Sequence, residues 1–407
     1  MSRVLYLCSK YIPGAAGNIH VDLMEEFVRH GHEVTVITPV ERKYHQQTSI
    51  QQRERFTLIR ARSLNFLGRV SLLEKGIATL LFGRWYLHII HKYLQGKDDF
   101  DLVICATLPI TYAPVMDYFH SHYHSFVYLL HKDFFPQNAV DLGILRKGWP
   151  IYSLFRFIER GLFRRSDCIG VLSPKNIEFI KENNPELPPD KAEVCVNGIC
   201  PTPWAEIERL RTRRAEIRAK YGLPKDKAIF VNGGTISRAQ NIEFILQVVR
   251  EASNTPEAFF LFVGRGAAFD RLQQAISDTS ADNVKILGYL PKADYDTLLA
   301  ACDAGMVFLD ERFTVANIPS KTLSHMNMGQ PIVSATDAYT DYRALLEKHG
   351  LGLWSLAGDV RPFMENVRKL ASSPELCREM GMRSRRFLEE HFTAETTYET
   401  IVRHLQK

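Results

Sequence analysis

An α/β protein made of two doubly wound, Rossmann-like domains facing a central cleft is predicted by three observations. Short apolar runs alternate with helical stretches, the alternation restarts after a proline-rich passage, and glycine turns follow several of the runs. A chain of 407 residues, 45% apolar and 24% charged, is globular and long enough for two full cores. The expected division is residues 1–200 and 201–389.

Val4 to Cys8 is apolar, with no basic leader and no small-residue cleavage site, and reads as a first strand rather than a signal peptide. The expected location is therefore the cytosol. Gly14 to Gly17 lead to a helix near His20 to His30, and Gly31 to Thr38 supplies the next strand. Further strands are expected at Leu102 to Ala106, Phe126 to Leu130 and Cys168 to Leu172, with a helix at Pro150 to Phe163. Pro185 to Pro189, the Asn197-Gly198 turn, Pro201 and Pro203 mark the boundary. Beyond it, Ala228 to Asn232 runs into Gly233-Gly234 and a helix from Asn241 to Glu251. Strands follow at Phe259 to Val263, Val284 to Leu287, Gly305 to Leu309 and Pro331 to Ser334. Ligands of open parallel sheets lie beyond the carboxyl ends of the strands. That rule aims Gly14 to Gly17, Gly233 to Arg238, Gly264 to Gly266 and Pro319 to Lys321 at the cleft.

The most informative stretch is Asn317 to Ser334, where Pro319, Ser320 and Lys321 open an apolar helical run closed by Gly329 and Pro331. Unpaired N–H groups at a helix start favour an anion, and Lys321 adds a full charge. The alternative is a plain helix start. Arg238 offers a planar fork that matches phosphate oxygens, against the alternative of a solvated loop arginine. Asp133, close to the end of a strand, is placed to orient or deprotonate an acceptor hydroxyl, unless it is a helix cap.

The net charge of +5 hides an uneven distribution: Arg42 to Lys97 holds eleven basic residues against Glu54 and Glu74, or 11 − 2 = +9. Within it, Leu64 to Leu94 mixes aliphatic and aromatic residues with Arg69, Lys75, Arg84 and Lys92. Charges recur too often for a transmembrane span. A helix lying in an anionic membrane interface and a buried helix with a solvated face both fit. Nucleic acid is not expected as a partner, because no groove-reading or stacking motif accompanies the charge. Seven cysteines without a Cys-x-x-Cys pair fit reduced thiols. Asp99-Phe-Asp101 precedes a strand at its amino end, and His120, His122 and His124 read as a linker, so no metal is expected.

Gly17, Gly31-His-Glu-Val-Thr-Val36, Asn197-Gly198, Val263-Gly-Arg-Gly266, Leu287-Gly-Tyr-Leu-Pro291 and Pro319-Ser-Lys-Thr322 with Gly329-Gln-Pro-Ile332 together resemble the GT-B fold glycosyltransferases of family 4. His131-Lys-Asp-Phe-Phe-Pro136 and Phe100-Asp-Leu-Val-Ile-Cys-Ala106 resemble the branch that adds acetamido sugars such as L-fucosamine to bacterial envelope polysaccharides. The resemblance implies a retaining transferase whose second domain binds a nucleotide sugar, UDP-linked and without metal or other cofactor. It implies donor contacts at Gly233, Gly234, Arg238, Gly264, Gly288, Tyr289, Ser320, Lys321 and Thr322. It places the acceptor, a lipid-linked saccharide, near Gly17 and Asn18, with Asp133 and His131 as catalytic residues. It also implies a C-terminal helix, 390–407, packed back on the first domain, and a peripheral position on the inner face of the plasma membrane.

The family's paired glutamates fall here at Ala316 and Ser324, and its basic pair near Thr235 and Gln240, all neutral. Asp310 and Glu311 are the nearby acidic candidates to replace the glutamates. The other function classes that fit are an inactive GT-B partner protein and a GT-B sugar-nucleotide epimerase.

Overall fold

A computed structural model describes residues 1–15, 17–66, 70–315 and 317–405. Ala16, Leu67, Arg69, Ala316 and the last two residues, all named or spanned in the expectations above, lie outside the described residues. The chain divides into two compact units. One comprises residues 1–14, 18–198 and 394–407, the other residues 15–17 and 199–393.

The first unit is built on β1 (Arg3–Leu7), β2 (Glu33–Glu41), β3 (Ser49–Arg53), β4 (Phe56–Ser63), β5 (Leu102–Ala106), β6 (Phe126–Leu130), β7 (Cys168–Val171) and β8 (Ala192–Val194). Their order in the sheet is β3-β4-β2-β1-β5-β6-β7-β8, parallel except for β3. Helices cover both faces of such a sheet, so its central strands are apolar on both sides. Val4 to Leu7 and Val127 to Leu130 are wholly buried.

The β3–β4 hairpin is an addition to the expected strands. It takes up Arg53, Arg55 and Arg60 from the basic segment and forms the sheet edge. Four helices matter below: α1 (Ile19–Arg29), α2 (Leu72–Leu94), α3 (Ala113–His122) and α4 (Pro150–Arg165). Along α2, Ala78, Phe82, Tyr86 and Ile90 recur every four residues and are buried. That stripe makes α2 a core helix on one face.

The second unit carries β9 (Ala228–Thr235), β10 (Ala258–Arg265), β11 (Val284–Leu287), β12 (Ala304–Phe308), β13 (Ile332–Thr336) and β14 (Gly352–Leu356). All are parallel, in the order β11-β10-β9-β12-β13-β14. This is the Rossmann arrangement, and its strand order reverses between β9 and β12. α5 (Ile242–Glu251) follows β9, and the short α6 (Lys321–Asn327) follows β12.

The chain then returns to the first unit. The helix Pro374–His391 stays with the second unit, so the return starts at Ala394 rather than at residue 390. α7 (Ala394–Val402) packs on α1: Tyr398 stacks on His30 at 4.2 Å and its hydroxyl meets His32 Nε2 at 3.0 Å.

Candidate active site

The point where strand order reverses is where a Rossmann sheet opens a crevice, because the helices after the two central strands leave toward opposite faces. In the second unit the segments flanking that point run from the end of β9, Gly233 to Thr235, through the loop to Asn241, and from Leu309 to the start of α6 at Lys321. They are laced together: Asp310 N–H donates to the Ala239 carbonyl at 3.0 Å, and Asn241 Nδ2 donates to Glu311. Asp310 accepts two bonds from the Arg312 guanidinium, each 2.7 Å. Asp310 and Glu311 therefore brace the loops, so the role of replacing the family's glutamates is not open to them as free carboxylates. Ser324, at the second of those places, lies within α6.

Gly234 has φ +102°, which an L side chain rarely adopts, and a Cβ there would meet nothing within 4 Å. Open space above a glycine backbone suits a ligand's close approach. Gly264, paired with Gly234 across the strands, has no room for a side chain, because a Cβ would collide with the Gly234 carbonyl. Gly233 answers to packing instead, since the half-buried Tyr295 side chain occupies the space of its missing Cβ.

Arg238 lies exposed in the first loop, and among the described residues its guanidinium has no hydrogen bond or ion pair. Lys321 starts α6. Its stem is partly exposed, yet its Nζ is buried and without a hydrogen-bond partner among the described residues. Burial pushes the Lys321 pKa down to about 7, so near neutrality the free protein holds only part of the full charge expected there. A buried unpaired donor is costly, and it points to a missing acceptor. Ser320 is exposed, with no capping bond from its side chain. Thr322 is turned inward, fully buried, its Oγ1 2.8 Å from the Tyr342 hydroxyl. Gly288 and Tyr289 follow β11, and the Tyr289 ring is 68% exposed.

In the first unit the two expected catalytic residues differ in access. Asp133 is open to solvent, while surrounding protein removes enough water to raise its carboxyl pKa, an effect that Lys132 partly offsets. His131 is fully buried against the rings of Phe134 and Phe163, with neither ring nitrogen bonded among the described residues. Burial, with the Arg156 charge second, lowers its pKa to about 3 and keeps it neutral. In this position it supports the turn that carries Asp133. Asn18 uses its side chain as the cap of α1, accepting from His20 and Val21 N–H at 3.0 and 3.3 Å. Gly17, with φ +73°, groups with the second unit.

The same strand ends hold groups that the sequence reading passed over. Lys132 Nζ donates to Asn197, and burial lowers its pKa to about 8. His20 bonds the Tyr6 hydroxyl, and burial followed by the Lys132 charge lowers it to about 3. The only signal in sequence was position: Lys132 stands just beyond β6, and His20 lies in the first turn of the helix that follows β1. The alternative metal motifs are engaged elsewhere. Asp101 accepts from Arg3 N–H at 2.7 Å, and His120 pairs with Asp167 at 3.0 Å. Among the described residues two other clusters have metal-ligand types, Cys168 with Glu193 and His404, and Glu26 with His30 and Glu395. Glu193 already accepts from Tyr128, Arg403 and His404, and both clusters lie in the first unit where the C-terminal segment packs.

Residues 16–202 match the model of Glycosyltransferase Family 4, and residues 213–387 that of Glycosyl transferases group 1. The chain has the two-domain GT-B fold. A probable glycosyltransferase, WbjE of Pseudomonas aeruginosa, is 27% identical over 228 residues, 55% of this chain and 54% of the relative. The match thus spans about half the length of that relative. Sucrose-phosphate synthase of Thermosynechococcus elongatus superposes with a TM-score of 0.73 at 16% identity, covering 100% of this chain and 98% of that one. Anabaena HepE in complex with UDP and glucose superposes with a TM-score of 0.68 at 14% identity, covering 100% of both chains. These likenesses establish the GT-B fold and leave donor and acceptor open.

Proposed function

We propose that this chain is a retaining glycosyltransferase that moves a sugar, an acetamido sugar, from a UDP-linked donor to a lipid-linked saccharide during cell-surface polysaccharide assembly. It works at the cytoplasmic face of the membrane. The observation that carries this reading is the pair of unpartnered cationic side chains, Arg238 and Lys321, on the two loops of one Rossmann switch point. When the bond between the sugar and the diphosphate breaks, its electron pair goes to the departing phosphate oxygen. Fixed cations aimed at that oxygen supply the largest single kind of catalytic stabilisation. Lys321, short of an acceptor at rest, gains one in the diphosphate. Asp133 orients the acceptor hydroxyl and takes its proton, for which a raised pKa suits it.

HepE was solved with UDP and glucose, which supports a UDP-type donor for a chain of the same fold. No metal is assigned a part, since the cationic side chains meet the charge of the diphosphate. The test is incubation of the purified chain with UDP-N-acetylhexosamines and a lipid-linked acceptor. Transfer with retained anomeric configuration is expected. Tight UDP binding without turnover supports the inactive-partner reading instead, and interconversion of free sugar nucleotide without acceptor supports the epimerase.

A further inference from the structure

We infer that the first unit docks on an anionic bilayer through one rim of its sheet, with the N-terminal half of α4 as the inserting element and the start of α2 beside it. This builds on the lipid-linked acceptor proposed above and moves the membrane contact beyond the basic Arg42 to Lys97 segment.

α4 is half anchored. Glu159, Leu162 and Phe163 are buried toward its C-terminal end, whereas Ile151, Leu154 and Phe157, three residues apart, stay exposed on its first turns. Phe157 is 74% exposed, and Trp149 just before the helix is 45% exposed with the Arg146 guanidinium 5.7 Å above its ring. A contiguous apolar stripe of this kind on a globular surface marks an interaction site.

Charge identifies the occupant. Gly143 to Arg165 holds Arg146, Lys147, Arg156, Arg160, Arg164 and Arg165 against Glu159, or 6 − 1 = +5. At the far end of the helix the cations are spoken for: Arg164 pairs with Glu186 at 3.0 Å and Arg165 with Asp117 at 2.8 Å. Arg146 and Lys147, beside the apolar stripe, have no acidic partner among the described residues. Free cations next to exposed aromatic and aliphatic side chains fit an anionic lipid interface, where aromatic rings sit at headgroup level.

The rim continues onto α2. α2 and α4 both flank α3; α2 follows β4, and α4 follows β6 after the short helix Gln137–Asp141. Thr111, between β5 and α3, donates its hydroxyl to the Thr79 carbonyl of α2 at 2.7 Å, so the loop bearing the exposed Leu108 lies against α2. Ile77, Leu80 and Leu81 are exposed on α2, on the side away from its buried stripe. Lys75 and Arg84 flank them, without acidic partners among the described residues. By contrast Arg42 is paired with Glu74 and Arg53 with Glu25. Lys92 lies in the last turn of α2, at the opposite end from the rim.

The experiment uses the full chain, with vesicles rich in phosphatidylglycerol compared with pure phosphatidylcholine. Wild type is expected to co-sediment with the anionic vesicles only. The pair Leu154→Ser and Phe157→Ser should lower that partition roughly ten- to a hundredfold, the scale of burying one large apolar side chain. The pair Arg146→Glu and Lys147→Glu should lower it comparably. UDP affinity, measured on each variant, should stay unchanged and shows that the fold is intact. Brominated acyl chains should quench tryptophan fluorescence in wild type and lose that quenching in Trp149→Leu. Equal sedimentation of wild type and both double variants overturns the surface, as does a concentration-dependent dimer that Phe157→Ser dissolves. Transfer to a detergent-solubilised acceptor separates the two levels. If it persists while vesicle binding fails in wild type, only the surface is wrong; if it is absent, the transferase reading fails.

Discussion

At Lys321, the proposed binding role and folding pull in opposite directions. Its folded pKa of about 7 lies below the unfolded lysine value of about 10.4. Between those values the unfolded chain binds more protons, so stability rises with pH across that window and the full penalty applies below about 7. Lys321→Met should therefore stabilise the second unit, by about 1–3 kcal/mol, the usual cost of an unsatisfied buried group, and most clearly at or below neutral pH. The same change should cost most of the UDP affinity. Wild-type UDP binding above pH 7 should take up a proton, seen as a buffer-dependent heat that the variant lacks. Arg238→Ala should weaken UDP binding by about 1.5–3 kcal/mol, the range for hydrogen bonds to charged groups. An unchanged calorimetric dissociation constant would remove Arg238 from the site. Asp133→Asn should lower turnover about 100- to 10,000-fold with UDP affinity unaltered, as expected of a general base. Wild-type turnover in that variant rules out the base. His131, one turn of sequence away, shows what sequence left hidden: the rings that bury it come from Phe134 and from Phe163, a helix later in the chain. The burial of Lys321 Nζ is likewise a tertiary property.

Among the elements, β5 and β6 start and stop where the apolar runs do, because a central parallel strand is buried on both faces and leaves an unbroken apolar signature. β3 and β4 gave no such signal. They form the sheet edge, and β3 is exposed along most of its length, so its residues read as part of a charged run. β8 has three residues and β14 opens on Gly352, each too slight a pattern to stand out. For α2 the apolar and charged residues supported two readings; the structure buries one face of the helix and leaves Ile77, Leu80 and Leu81 exposed on another. α7 was legible as a helix, but its start at Ala394 depends on which core it covers. Deleting the chain from Ala394 onward strips Tyr398, Ile401 and Val402 from the first unit's core. At about 1.5–3 kcal/mol for each large apolar side chain, the loss should amount to several kcal/mol. Thermal unfolding should then show the first unit melting early or not folding. An unaltered melt would contradict the role given to α7.

For the molecule as a whole, the proposed function assigns the binding of a charged leaving group to one Rossmann-like unit and the activation of an acceptor to the other. Among the described residues no helix is long and apolar enough to cross a membrane. The central claim is that a UDP-type donor sits on the two loops at the β9/β12 reversal. Hydrogen–deuterium exchange on the full chain with saturating UDP tests it most directly. The account predicts slowed exchange in peptides covering residues 233–241 and 317–325, with the Lys321→Met variant losing that protection. Protection confined to the first unit, or none in either loop despite measured binding, would contradict it.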